Sequence, residues 1–289
     1  MTSRQGGAAS LVVAVGLCTV DLVQRVSELP APGQKVQSES VEFAAGGPAA
    51  NAAVAVAALG GRARLSTVLG AHPLARLAAE DLAACGVELA DVLPDRTAPP
   101  AVSAVSVRAR DGERTVVSHN AAGVSAPPVT DLSGADVLLL DGHHPELALA
   151  AARTARSRDI PVVLDAGSWK PVLTELLAFV DVCACSAAFE SRVPLDNPVV
   201  IRTNGPGPVT WQAGGTTGEV PVPPVDARDT VGAGDVWHGA FALAVARLGR
   251  VPAVADVPAL VEYANRAAAV RIRYEGARAW VEPMLGLTS

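Results

Sequence analysis

The sequence predicts an α/β chain: a central, mostly parallel β-sheet flanked by helices, with a small second β-sheet standing over it as a lid. Three observations predict it. Strand-like apolar runs alternate with helix-like ones through most of the 289 residues, the rhythm of a parallel sheet covered on both faces. Several of those runs are apolar throughout, as strands buried on both sides must be. Two stretches instead alternate polar and apolar residues, as strands with one exposed face do.

Taken in order, "SLVVAVGL" over 10–17 reads as the first buried strand. Residues 34–45, "QKVQSESVEFAA", alternate and belong to the small sheet. "PAANAAVAVAALG", 48–60, reads as a helix with Pro in its first turn and Gly60 at its stop. Residues 101–119, "AVSAVSVRARDGERTVVSH", alternate again, and Asp111-Gly112 between their halves predicts a hairpin. The lid is therefore drawn from about 21–45 and 98–120, inside a single domain spanning 1–289. "VLLLD" (137–141) and "IPVVLD" (160–165) are core strands around a helix at 146–158. "VVIRTNG" (199–205) is another strand, with "VTWQAGG" (209–215) as its hairpin partner, and the last helices fall at 235–248 and 258–273.

Composition limits the function classes. A net charge of −6, with both signs mixed along the chain, argues against nucleic acid, whose phosphates demand clustered positive charge. The four cysteines, Cys18, Cys85, Cys183 and Cys185, form no C-x-x-C pair, and the last two alternate along a strand as buried thiols. "MTSRQGGAAS" is a short polar lead rather than a secretion signal, and the apolar run after it is too short to span a membrane. The expected setting is soluble and cytoplasmic.

Chemistry concentrates in "DTVGAGDVWHGAF", 229–241. From Val236 the apolar residues follow the spacing of one buried helical face, which puts Gly232, Ala233 and Gly234 at a helix N-terminus. Unpaired amides and the helix dipole favour an anion there. Asp235 would repel a bound phosphate unless it acts on the other reactant, taking a proton from an attacking hydroxyl. An ordinary capping role for Asp235 is the competing reading. Other phosphate motifs fail. Trp237 stands where the third glycine of a dinucleotide fingerprint belongs, and neither lysine, Lys35 or Lys170, follows a glycine as in a P-loop. A second segment, "GGPAANAAVAVAALG" over 46–60, places Asn51 on a first helical turn, where its amide can serve sugar hydroxyls or simply cap the helix.

These two segments, in this order and separation, resemble the paired signatures of the PfkB, or ribokinase-like, carbohydrate kinase family, over nearly the whole chain. The resemblance implies a ribokinase-like fold and ATP-dependent transfer of the γ-phosphate to a sugar hydroxyl. Asp235 matches the base, and Gly232, Ala233 and Gly234 match the anion hole. Asp21, at the end of "VGLCTVD", matches the sugar-binding Asp of the family's first strand; Gly46, Gly47 and Asn51 match sugar contacts, and Asp141 an acidic sugar-side position. Ser186, Thr203, Gly205 and Asn265 match the nucleotide side, and "YANRAAAVRIRYEGAR" the segment that closes over adenine. Asp229 and Val231 fall where family members bind a monovalent cation such as K⁺, and Mg²⁺ would accompany the nucleotide.

Within the family, "DGERTVVSH" and "DVCACSAAFE" look closest to ketohexokinase-like and sulfofructose-kinase-like enzymes, which would turn Arg114 toward the substrate; a solvated arginine is an equal reading. His143 and His144 are substrate contacts by position and loop residues by composition, and His238 is expected to pack or to face the surface rather than to act in catalysis. The family's Asn-x-x-Glu segment is here Ser186 and "AAFE", with Glu190 displaced by one position. A nucleoside kinase of the same family and a non-catalytic sugar sensor are the alternatives. Exposed lid edges would invite a homodimer.

Overall fold

The computed structural model describes residues 9–121 and 123–287. The polar lead falls mostly outside them. Among the described residues, no helix is long and apolar enough to cross a membrane.

The chain opens with β1 (Leu11–Val15), then β2 (Thr19–Val26), β3 (Ser40–Gly46), α1 (Pro48–Ala58), β4 (Arg62–Thr67), α2 (Pro73–Ala84) and β5 (Val87–Asp91). β6 (Ala101–Arg108) and β7 (Arg114–His119) form the hairpin expected around Asp111-Gly112. β8 (Val137–Leu140), α3 (Pro145–Ser157), β9 (Val162–Ala166), α4 (Leu173–Leu176), β10 (Val182–Cys185) and β11 (Val199–Asn204) continue the alternation. After β12 (Gly207–Ala213) and β13 (Thr216–Val220) come α5 (Ala233–Leu248), α6 (Val257–Arg271) and the short α7 (Val281–Met284).

Nine strands make the large sheet, in the order β13-β12-β11-β10-β9-β8-β1-β4-β5. All neighbours from β5 through β11 run parallel, and β12 and β13 close one edge antiparallel. Because β1 sits between β4 and β8, the strand order reverses there. Open α/β sheets bind ligands beyond the carboxyl ends of strands at such a reversal. One face packs under α1, α5 and α6 through residues such as Val54, Phe241 and Val261; the other packs under α3 and α4 through Leu138, Leu147 and Leu176. Cys183 and Cys185 are buried on β10, as the alternation predicted.

The second sheet has four strands, in the order β3-β2-β6-β7. Two expectations shift here. Asp21 lies on β2 of this lid sheet rather than on the first strand of the core. The strand read over 34–45 starts only at Ser40, because β3 has a partner no further than Arg25, which pairs with Ser40. Before that point the polar alternation finds no ladder to join.

Candidate functional site

The 229–241 segment folds as its glycines dictate. Gly232 caps α5 with φ of 71°, a left-handed conformation costly for any residue with a Cβ. Residues 233–235 then form the first turn; the Ala233 amide donates to the Thr230 carbonyl at 3.3 Å, and the amides of Gly234 and Asp235 lack intrahelical partners. Gly47 precedes α1 with a positive φ of 89° but an extended ψ of 152°, a backbone region open essentially to glycine alone. Gly239 lets the two helices touch: a Cβ there would overlap the backbone carbonyl of Ala52. The close crossing brings together two side chains 184 positions apart, and Asn51 Nδ2 donates to Asp235 Oδ2 at 2.8 Å. Asp235 stays partly exposed to the cleft, yet its surroundings are dense enough that desolvation raises its pKa above the ordinary carboxylate value; Asn51 and His238 oppose that rise.

From the lid, Asp21 faces the same cleft. Its Oδ1 accepts from Thr19 Oγ1 at 2.5 Å, and burial raises its pKa while Thr19 and Ser103 pull it down. Gly46, its neighbour across the strand pair near Ala44, leaves the space that the Asp21 carboxylate fills. Asp21, Asn51, Gly232 and Arg278 line one concavity. Arg278 was not singled out in the sequence; it holds Asp81 at 2.8 Å and the Ala45 carbonyl at 2.5 Å, and reaches Asn51 Oδ1 at 3.5 Å. Arg114 comes down from β7 and donates to Thr230 Oγ1 at 3.1 Å, so the lid touches the 229–235 segment directly.

Asp141 has a different occupation from the one expected. Its Oδ2 accepts from the amides of Leu17 (2.8 Å) and Ala49 (3.3 Å), and its Oδ1 from His143 (2.8 Å). Only 2% exposed, it clasps the loop after β1 to the start of α1, at the point where the strand order reverses. Both its oxygens serve the backbone, so it is a structural clasp rather than an open sugar ligand. His143 and His144 follow it, and burial lowers the pKa of each. Of the two positions open to His238 it takes the packed one: its Nδ1 lies 2.7 Å from the Gly234 carbonyl and 3.4 Å from Asp165 Oδ2. Asp165, at the end of β9, drew no attention in the sequence. Burial pushes its carboxyl up to about 6, against the pull of His238.

The ends of β10 and β11 present Ser186, Thr203 and Gly205. Ser186 Oγ donates to the Gly167 carbonyl at 3.1 Å, and Thr203 Oγ1 to the Cys185 carbonyl at 3.3 Å. Gly205 forms the open tip between β11 and β12. Asn265 is turned inward instead. It is 2% exposed, accepts from Trp237 Nε1 at 2.8 Å and donates to the Pro221 carbonyl at 3.2 Å. Both ends of its amide tie α5, α6 and the strand exit together, turning the side chain into the interior.

At the position expected for a monovalent cation, the Asp229 carboxylate lies against the buried guanidinium of Arg271. Asp229 Oδ1 accepts from the Val231 amide at 2.9 Å, and its Oδ2 accepts from the Gly276 amide at 3.2 Å and from Arg271 at 3.3 Å. The carboxylate is already neutralised by a buried guanidinium.

Comparison with known proteins gives the family and the fold. The family described as pfkB family carbohydrate kinase matches residues 9–188 and 184–283. The ribokinase of Bacillus subtilis is 26% identical over 284 residues, covering 92% of this chain and 94% of that protein. An ATP-dependent ribose-1-phosphate kinase of Halopiger xanaduensis is 29% identical over 283 residues, covering 92% and 93%. Among solved structures, Arabidopsis thaliana ribokinase complexed with ribose and ATP superimposes with a TM-score of 0.79 at 22% identity, over 98% of this chain and 99% of that one.

Proposed function

We propose, from the premise that this chain belongs to the pfkB family of carbohydrate kinases and transfers phosphate to a hydroxyl, that Asp235 is the base and the start of α5 the anion hole of an ATP-dependent sugar kinase. The observation that carries this reading is the Asn51–Asp235 hydrogen bond of 2.8 Å at the mouth of a glycine-capped helix. It fixes one carboxylate oxygen and leaves the other to take a proton.

The sugar lies under the lid, its hydroxyls met by Asp21, Asn51 and the backbone around Gly46 and Gly47. ATP lies across the Gly232 turn, beside Ser186, Thr203 and Gly205. The sugar's primary hydroxyl attacks the γ-phosphorus, its proton passes to Asp235, and the bond to the bridging oxygen breaks with ADP as leaving group. Amides of Gly234 and Asp235 and the helix dipole meet the charge on the transferring group without reorganising, which is where enzymes gain most. Mg²⁺ would be carried on the nucleotide's own phosphate oxygens, since it keeps most of its ligands from water and phosphate; among the described residues no group of three or more His, Cys, Asp and Glu is placed to hold a metal alone. Contact between Arg114 and Thr230 brings the lid down, excluding water that would otherwise hydrolyse ATP.

A second copy of the chain covers the lid's outer face. Phe43, Leu22, Ala104 and Val117 are direct neighbours across all four strands, forming an apolar row on that face. Phe43 is 52% and Val117 72% exposed, a surface suited to a homodimer.

A substrate panel tests the assignment: ribose, ribose 1-phosphate, fructose, a sulfonated ketose and nucleosides, each assayed for ATP-dependent ADP release. Turnover with one or more sugars is expected. Turnover confined to nucleosides would overturn the sugar assignment, and binding of a sugar without any ADP release would make the protein a sensor.

A further inference from the structure

We infer that the guanidinium of Arg271 is a built-in monovalent cation that positions the phosphate-binding turn, and that this kinase therefore neither binds nor needs K⁺. The inference rests on the reading of residues 232–235 as the anion hole.

A monovalent cation in a protein is held by convergent oxygens, several of them backbone carbonyls, in a place closed to bulk water. That description is met here by Arg271. Its Nη1 donates to the carbonyls of Tyr274 at 2.9 Å and Asp229 at 3.5 Å, and its Nη2 to Asp229 Oδ2 at 3.3 Å. Residues Arg271 and Asp229 are 3% and 4% exposed. The guanidinium carbon lies 6.0 Å from the centroid of the buried Trp280 ring, a cation–π arrangement that closes one side of the nest. Burial lowers the pKa of Arg271, but a guanidinium keeps its proton at any pH in which proteins fold. A second cation at these oxygens would sit against that fixed charge and find the carboxylate already used.

The same nest is mechanically joined to the reacting groups. The amides of Arg228 and Asp229 both donate to the Ile272 carbonyl, one residue after Arg271. The Asp229 carboxylate that Arg271 holds accepts the amide of Val231, immediately before the left-handed Gly232. Pulling on Arg271 therefore moves the residues that set the direction of the first amides of α5. Its charge is also felt by the base: Arg271 is among the groups that draw the pKa of Asp235 down, against burial that raises it. Arg271 touches no reacting atom and is a positioning residue.

The experiment compares wild type, Arg271→Ala and Arg271→Lys in buffers free of sodium and potassium, titrating KCl against choline chloride at a constant ionic strength of about 0.2 M so that general screening stays fixed. Three quantities are read: initial rate with the best sugar, dissociation constant for ADP, and melting temperature. For wild type all three are expected to be flat, with rates within about twofold across the titration, since the fixed charge is already in place. Arg271→Ala is expected to lose about a hundredfold in rate, the scale of a lost electrostatic contact at an anion hole, and to regain at least tenfold with KCl or guanidinium chloride but not with choline. Arg271→Lys is expected to keep most of the rate without KCl. Activation or stabilisation of wild type by K⁺ overturns the inference even if Arg271→Ala does not fold. A folded Arg271→Ala enzyme that works at full rate in choline overturns it too, as does one that neither cation restores. Should no sugar be phosphorylated, the ADP and melting data on wild type still decide the Arg271 question, separately from the kinase reading.

Discussion

Asp235→Asn isolates the proton-accepting step from everything else the site does. The replacement has nearly the same shape, and its Oδ1 still accepts the hydrogen bond that Asn51 Nδ2 now makes at 2.8 Å to Asp235 Oδ2. The remaining atom becomes an NH₂ group, a donor placed where the sugar hydroxyl needs an acceptor. Stability should change by no more than about 1 kcal/mol, because a weaker hydrogen bond is offset by removing a desolvated charge. Turnover should fall by about 10²–10⁴, or roughly 3–5 kcal/mol of transition-state stabilisation, the usual contribution of a general base. A coupled assay for ADP at saturating sugar gives kcat, calorimetry gives the affinities for sugar and nucleotide, and a melting curve checks the fold. Affinities and melting temperature should stay near those of wild type. In wild type, kcat should fall toward acid pH with a midpoint above the ordinary carboxylate range, since desolvation raises the pKa of Asp235. A variant within about tenfold of wild-type kcat would refute general-base catalysis by this residue.

Two further outcomes are expected. Asp165 titrates near 6 in the native protein against about 3.9 when unfolded, so between those values the native state binds the extra proton and stability falls as pH rises, by up to roughly 3 kcal/mol. Asp165→Asn should flatten that part of the profile in urea titrations between pH 4.5 and 7, taken as approximate bounds of the window; an unchanged slope would mean that Asp165 does not carry the proton. Phe43→Glu places a charge in the apolar row of the lid, and sedimentation should show dimers of wild type becoming monomers. A wild type that sediments as a monomer at micromolar concentration defeats the lid-to-lid pairing.

The parts of this molecule that announce themselves in the sequence are those governed by short-range rules. Gly-Ala-Gly before an apolar helical face, Asp-Gly between alternating runs, and all-apolar strands such as "VLLL" each encode their own geometry, and each lies where its pattern put it. Missed elements have mixed signals. The helix α2 is alanine-rich with only Ala75, Ala78 and Leu82 buried, and it follows His72-Pro73, which reads as a turn. Partner choice is a different matter. Asp141 looks like any acidic residue at a strand end, and only the folded chain shows three amides converging on it. Asn265 looks like an available amide until Trp237, a helix away, is seen to use it. Arg271 carried one faint signal, an arginine inside an otherwise alanine and valine helix end, but its meaning depends on Asp229, 42 positions earlier.

Gly16 and Gly46 hold a further consequence. A Cβ at either would fall on a carboxylate: that of Asp141 for Gly16, that of Asp21 for Gly46. Each glycine and its aspartate thus behave as one unit of inheritance. A lineage that swapped either acid for a smaller side chain would relieve the overlap at the matching glycine, whereas a side chain added at the glycine alone must displace the carboxylate. Saturation mutagenesis in pairs would expose these two linked positions as a lock and its key, invisible to scans that alter one codon at a time.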